Sequence, residues 1–210
     1  MKGALLMSSD LTASAVRLFE VLEHGDDVLA SYLVHPNFYN REAALAPAAC
    51  STPGPAGVLA SSTWMRAAFS DLHFDIGATA HEGNRVWIRL RMRGLHTGPF
   101  VRYRDGELDQ AIPPTGREIN FEQIHVLTMR QGLVLEHEAV RDDMTMLAQL
   151  GVFPPTPALG ARMLAWKVSG RAARAAEQIA QKAAASAAAF AHDVPGPRSV
   201  PEAAVDPSER

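Results

Sequence analysis

Val86-Trp87-Ile88-Arg89-Leu90-Arg91-Met92-Arg93 changes character at every step: Val86, Ile88, Leu90 and Met92 fall on one side of an extended chain, Trp87 and three arginines on the other. Successive side chains of a strand point to opposite faces, so this is a strand with one side on a core and its arginines on a solvated face. Downstream, Gly98–Tyr103, Gly116–Met129 and Gly132–Asp142 read as further strands, with turns at Asp105-Gly106 and Gln131-Gly132. Upstream the period lengthens. Leu11, Ala15, Leu18, Phe19 and Leu22 share one helical face, Gly25 stops that helix, and Asp26 caps a second one reaching Leu33. A third helix carries Val58, Ser61, Met65, Ala68 and Leu72, and the period changes to two from Phe74. Helices first and a meander of strands second give an α+β domain: a conical, curved antiparallel sheet wrapped around the N-terminal helices, with a cavity between them.

The chain has 210 residues, 47% of them hydrophobic and 20% charged, which is enough apolar material for one core. A net charge of −3 supplies no footprint for nucleic acid or an anionic membrane. The lone Cys50 can form neither an internal disulfide nor a thiolate metal site, and reads as a small buried thiol. The apolar run Gly3–Met7 is too short for a signal peptide, and no stretch reaches the roughly 18 apolar residues of a membrane span. A cytoplasmic protein is expected. Composition shifts after Gly151, dividing the chain into a cone-shaped domain (1–155), a helical extension (156–192) and a proline-rich tail (193–210) expected to be disordered. Twelve of the twenty-two residues from Arg171 to His192 are alanine, which predicts a long helix. Before it, Leu159, Met163, Trp166 and Gly170 form a docking stripe, read as packing in preference to partner binding.

Spacings that announce cofactor or metal chemistry are missing: no Gly-rich phosphate loop, no His-Glu-x-x-His, no Gly-x-Ser-x-Gly. Glu136-His137-Glu138 sits on a strand where neighbours diverge, so it cannot chelate one ion. No metal and no cofactor is expected. Phe121, Gln123, His125 and Leu127 share a face that mixes apolar and polar groups, as a pocket wall does. On the next strand Val134, Glu136, Glu138, Val140 and Asp142 share a face, and a hairpin at Gln131-Gly132 would bring Asp142 beside His125. A desolvated Asp142 would have its pKa raised into the range of a general acid or base. The same residue can instead cap the helix Asp143–Leu150, although Asp143 is the preferred residue for that task, and His125 taken alone reads as a hydrogen-bonded core histidine before it reads as a functional group.

Several separate stretches resemble one family. These are His24-Gly25-Asp26-Asp27, His35-Pro36-Asn37-Phe38-Tyr39-Asn40, Gly94-Leu95-His96-Thr97-Gly98-Pro99-Phe100, Pro113-Pro114-Thr115-Gly116-Arg117, and Glu136-His137 with Asp142 and Gln149-Leu150-Gly151. Over residues 10 to 153 their order and spacing are similar to the SnoaL-like polyketide cyclases, or ester cyclases, of the nuclear-transport-factor-two-like superfamily. The resemblance implies a conical α+β barrel, a homodimer formed through the sheet, and a cavity between sheet and helices. It also implies a last-strand aspartate, here Asp142, as acid/base of an intramolecular aldol closure, with His125 and Gln123 lining the same pocket. Asn40, Arg41, Glu138, His96, Trp64 and Phe121 are the further expected substrate contacts. Arg41 stands where many members have histidine, and Glu138 replaces an aromatic residue; Glu138 either faces the pocket or turns to solvent with a slipped register. Residues 101–111 exceed the family's usual connection and read as an extra hairpin, covering the pocket mouth or decorating the surface.

The expected activity is cofactor-independent ring closure of a hydrophobic, carbonyl-rich small molecule. Hydrolysis or isomerisation in the same pocket, and ligand binding without turnover, are the alternatives.

Overall fold

A computed structural model describes residues 2–193, with side chains from Leu11 to Ala191; the rest of the expected tail lies outside the described residues. The elements run α1 (Lys2–His24), α2 (Asp27–Leu33), β1 (Val34–Asn40), α3 (Pro55–Ala68), β2 (Phe69–Glu82), β3 (Arg85–His96), β4 (Phe100–Arg104), β5 (Glu107–Ile112), β6 (Glu118–Arg130), β7 (Leu133–Arg141), α4 (Asp143–Leu150), α5 (Pro157–Val168) and α6 (Arg171–Asp193). Two 3-10 segments, Arg41–Leu45 and Ala48–Ser51, link β1 to α3. The fold is α+β, with a curved sheet against the N-terminal helices.

Three expectations need correction. The sheet, in the order β1-β7-β6-β3-β2, is mixed, because β1 runs parallel to β7. It ends in the separate edges β1 and β2, so it curls without closing into a barrel. The third helix stops at Ala68, and Leu72 belongs to β2. In β3 the even-numbered Val86, Ile88, Leu90 and Met92 are buried as the alternation requires. Their arginine neighbours stay on the outer face, where Arg89 and Arg91 pair with Glu122, and Arg93 with Asp75. Gly98 is demanded by packing: a Cβ there would collide with the carbonyl oxygen of Ala67, the point where β3's exit crosses the end of α3.

The register of the last hairpin decides what faces inward. At the turn Arg130 pairs with Leu133 and Met129 with Val134, but from Thr128↔Glu136 onward every partner is displaced by one residue. Leu135 is the extra residue of this β-bulge. Two residues of the bulged strand then oppose one of its partner, and the inside–outside parity beyond the bulge is exchanged. Val134 and His137 are both buried, three positions apart. Inward positions past the bulge are therefore His137, Ala139 and Arg141, opposite Leu127, His125 and Gln123.

α6 packs by its small side chains. Ala183 and Ala187 bury against Ala56 and Ala60 of α3, while Ala176 and Ile179 bury against Val101 and Tyr103 of β4. Alanine lets two helices approach closely at little entropic cost. The expected stripe Leu159, Met163, Trp166 and Gly170 is the half-buried side of this stretch, and the residues between its members are exposed. Met163 packs on the main core, but α5 has no fully buried residue, and its Leu164 and Val168 are exposed.

Candidate functional site

Between the sheet and the helices lies a cavity of about 950 Å³, counting its open mouth. Its walls are apolar: Leu18 and Leu22 from α1, Val58, Trp64 and Met65 from α3, Phe69, Phe74 and Met92 from β2 and β3, and Phe121 from β6. Trp64 is fixed by its indole N–H, which donates to the Val101 carbonyl at 3.0 Å, and by stacking on Phe100 at 5.9 Å.

Into this surface is set one buried polar chain. Asn40, at the end of β1, lies beside His137 because the two are register partners. From there Asn40 Oδ1 is 3.0 Å from His137 Nδ1, His137 Nε2 is 2.7 Å from His125 Nδ1, and His125 Nε2 is 2.7 Å from Gln123 Oε1. The imidazoles lie nearly parallel, 5.0 Å between centroids, and Phe19 meets His125 edge-on at 4.9 Å.

The protons on this chain follow from its ends. Asn40 Oδ1 already accepts the Glu42 backbone N–H at 3.0 Å, so it is held as an acceptor and His137 donates to it from Nδ1. In a neutral pair His137 Nε2 then accepts from His125 Nδ1–H, and the lone pair at His125 Nε2 faces Gln123. With Gln123 Oε1 also turned to that nitrogen, three protons are required on two rings, which makes the pair singly charged. Rotation of the Gln123 amide, whose other end touches Met92 Sδ at 3.3 Å, interconverts the two arrangements. Burial pushes His137 down to about 4 and His125 well below its ordinary value, helped in both cases by Arg141 and, for His125, by the neighbouring imidazole. Both shifts favour the neutral pair, with the amide N–H turned to His125.

A charged cluster borders this chain. Arg141 bridges Glu42 at 3.1 Å and Asp143 at 3.5 Å, and Glu42 also accepts the Ala139 backbone N–H at 3.0 Å. All three side chains line the cavity, as does Arg102 of β4.

The expected site residues divide. Asn40, Trp64, Phe121, Gln123 and His125 line the cavity together. Asp142 does not, which corrects the expectation built on it. It is exposed and caps α4, Oδ1 accepting from the Thr145 N–H at 3.0 Å and Oδ2 from the Thr145 hydroxyl at 2.5 Å. Those two bonds hold its carboxyl below the usual range, opposite to the rise expected of a desolvated acid. Arg41 and Glu138 also lie outside: Arg41 Nε is 2.6 Å from Glu136 and 3.0 Å from Glu138, on the outer side that the bulge assigns to even-numbered residues of β7. His96 is fully buried but stands behind Phe69, its Nδ1 3.0 Å from the Thr115 hydroxyl, where it ties β3 to the entry of β6. Burial, with a smaller push from Arg162, takes it to about 4. Cys50 is buried and its thiol is pushed up to about 12, an inert group.

Sequence reasoning missed His137, Glu42, Arg102, Arg141 and Asp143. Strict alternation counts His137 outward, and nothing local to Leu135 marks a bulge. Among the described residues no group of three His, Cys, Asp or Glu side chains is placed to hold a metal ion, and no helix is long and apolar enough to cross a membrane.

Comparison with known proteins agrees with this fold. Residues 13–150 match the family model described as SnoaL-like polyketide cyclase. Over 106 residues, half of this chain, the sequence is 32% identical to the aklanonic acid methyl ester cyclases DauD of Streptomyces sp. (strain C5) and DnrD of Streptomyces peucetius. The matched stretch spans 60% and 66% of those two relatives. The crystal structure of IdmH from Streptomyces antibioticus superposes with a TM-score of 0.51 at 27% identity, covering 68% of this chain and 99% of that one.

Proposed function

Because the chain belongs to the SnoaL-like polyketide cyclase family, we propose that it closes a ring in a hydrophobic, carbonyl-rich molecule held in this cavity. In this reading the His125–His137 pair, in place of an aspartate, takes and returns the proton. The observation that carries it is the buried chain Gln123–His125–His137–Asn40, set in an apolar wall with the lone pair of His125 Nε2 at its cavity end.

The steps follow from that arrangement. A carbon flanked by two carbonyls gives its proton to His125 Nε2, and the electron pair left behind becomes an enolate. The enolate carbon adds to a carbonyl carbon of the same molecule, forming the ring bond, and the resulting alkoxide recovers the proton from Nε2–H. An imidazole nitrogen has one lone pair, and Gln123 faces it at 2.7 Å; in this reading the Gln123 side chain swings aside for each proton transfer and caps Nε2 between them, N–H toward the neutral ring and oxygen toward the protonated one. An imidazolium is costly here, since burial and Arg141 disfavour it. Formation beside an enolate offsets that cost, which restricts the reaction to carbon acids made strong by adjacent carbonyls. Apolar walls supply the rest by folding a flexible chain so that its ends meet.

The test uses aklanonic acid methyl ester, the compound in the names of the curated relatives. Ring closure is followed by chromatography and mass spectrometry, and carbon deprotonation by deuterium uptake in D2O. His125→Gln should lose both signals by at least about a hundredfold while the chain stays folded. Undiminished deuterium uptake in that variant would remove the imidazole from the mechanism. A second reading, binding without turnover, is favoured by one feature: the inward position opposite His125 is Ala139, so no carboxylate supports the imidazole. It predicts binding with no deuterium uptake by the unaltered chain.

A further inference from the structure

Of the two guanidiniums on the cavity wall, one is already neutralised. Arg141 is shared by Glu42 and Asp143, a trio with one negative charge in excess. Arg102 lines the same cavity and makes no ion pair or hydrogen bond with any described residue. A half-buried guanidinium has five donors and a full charge to satisfy, and no described residue meets it.

Its placement is not that of a loose surface arginine. On β4 the alternate residues Val101 and Tyr103 turn away from the cavity and bury against Ala176 and Ile179 of α6, while Phe100 and Arg102 turn toward it. The strand is pinned twice: the Tyr103 hydroxyl donates to the Ala176 carbonyl of α6 at 2.9 Å, and the Trp64 indole of the cavity wall donates to the Val101 carbonyl at 3.0 Å. α6 lies beyond the part of the chain that matches the family model, so the extension clamps the hairpin that presents Arg102.

We propose that Arg102 is an anion-recognition residue, and that the molecule bound here carries a free carboxylate directed at the β4–β5 hairpin. Guanidinium and carboxylate match as a two-pronged, charge-assisted pair. An ester in the same place brings no charge and accepts weaker hydrogen bonds. The negative excess on Glu42, Arg141 and Asp143 repels a carboxylate from that cluster and so fixes which way round the ligand lies. The inference rests on the cavity being the binding site and is independent of turnover.

The experiment is calorimetric titration of the full chain at pH 7 with two matched pairs of probes: an anthraquinone carboxylic acid and its methyl ester, and aklanonic acid and its methyl ester. The unaltered chain should bind each acid about tenfold or more tightly than its ester, a preference that shrinks as salt is added. In Arg102→Gln the ratio should fall to near one, and in Arg102→Lys it should be intermediate, with melting temperatures reported beside each to show that the fold persists. Equal binding of acid and ester by the unaltered chain, or a ratio that survives Arg102→Gln, overturns the assignment and leaves the cavity reading standing. Failure of all four probes to bind overturns both.

Discussion

Lowering the pH from 7 to 5.5 should destabilise this protein far more than its carboxylates can explain, because the fold buries neutral imidazoles. His137 and His96 are held at about 4, and His125 is also held well below its ordinary value. In the unfolded chain each titrates near 6.5, so on acidification the unfolded state takes up protons first. The stability these groups confer is complete above that value and is lost as pH falls toward 4. Integrating one such group between pH 7 and 5.5 gives about 1 kcal/mol, hence about 2 kcal/mol for His137 and His96 together, with His125 acting in the same direction. Domains of this kind are stable by only about 5–15 kcal/mol, so the change is large. Urea unfolding followed by circular dichroism at pH 7, 6 and 5.5, at constant ionic strength, measures it. His137→Gln keeps a donor and an acceptor without the titration, and should remove about 1 kcal/mol of the loss. Stability that stays level across that window would refute the burial of neutral rings.

Two substitutions test the site from either side of the last hairpin. Asp142→Ala removes a helix cap and should lower the melting temperature by about 2–4 °C while leaving ring closure and deuterium uptake intact, whereas a catalytic Asp142 would abolish both. Ala139→Asp places a carboxylate on the inner face opposite His125, where it should raise that imidazole's pKa and move the acid limb of the pH–rate profile up toward neutrality; a profile that does not move would put position 139 out of reach of the ring.

Much of the architecture is legible because it depends on period. The alternation of β3, the cap at Asp26 and the turns at Asp105-Gly106 and Gln131-Gly132 each follow from local chemistry, and each is present. Both turns place two consecutive residues at positive φ, the geometry that matches the twist of a two-stranded hairpin. β1 was not legible: Val34-His35-Pro36-Asn37-Phe38-Tyr39-Asn40 has no clean alternation and contains a proline, and it is a strand because β7 offers it an edge. Half of the site was legible for the same reason that β6 was. Phe121, Gln123 and His125 need only strict alternation, and β6 keeps it to its end.

The other half turns on a single residue. Without the bulge at Leu135, the pairing set at the turn would continue and Asp142 would stand opposite Phe121 on the inner face, with Glu136 and Glu138 beside it. Three carboxylates would then enter an apolar cavity while Arg141, on the opposite parity, turned outward, a costly arrangement that would leave some of them protonated. With the bulge, Glu136 and Glu138 meet Arg41 outside, Asp142 caps α4, and His137, which tolerates burial by staying neutral, takes the inner position. The hydrophobic pattern of β7 cannot choose between these registers, because Val134 is inward in both and Val140 is exposed where the alternation would have buried it. The choice is made by charge, through contacts with residues nearly a hundred positions away in β1 and the segment after it. A pocket whose inward groups are selected in this way is read correctly only once both strands are in place, and the paired imidazoles are what the selection leaves inside.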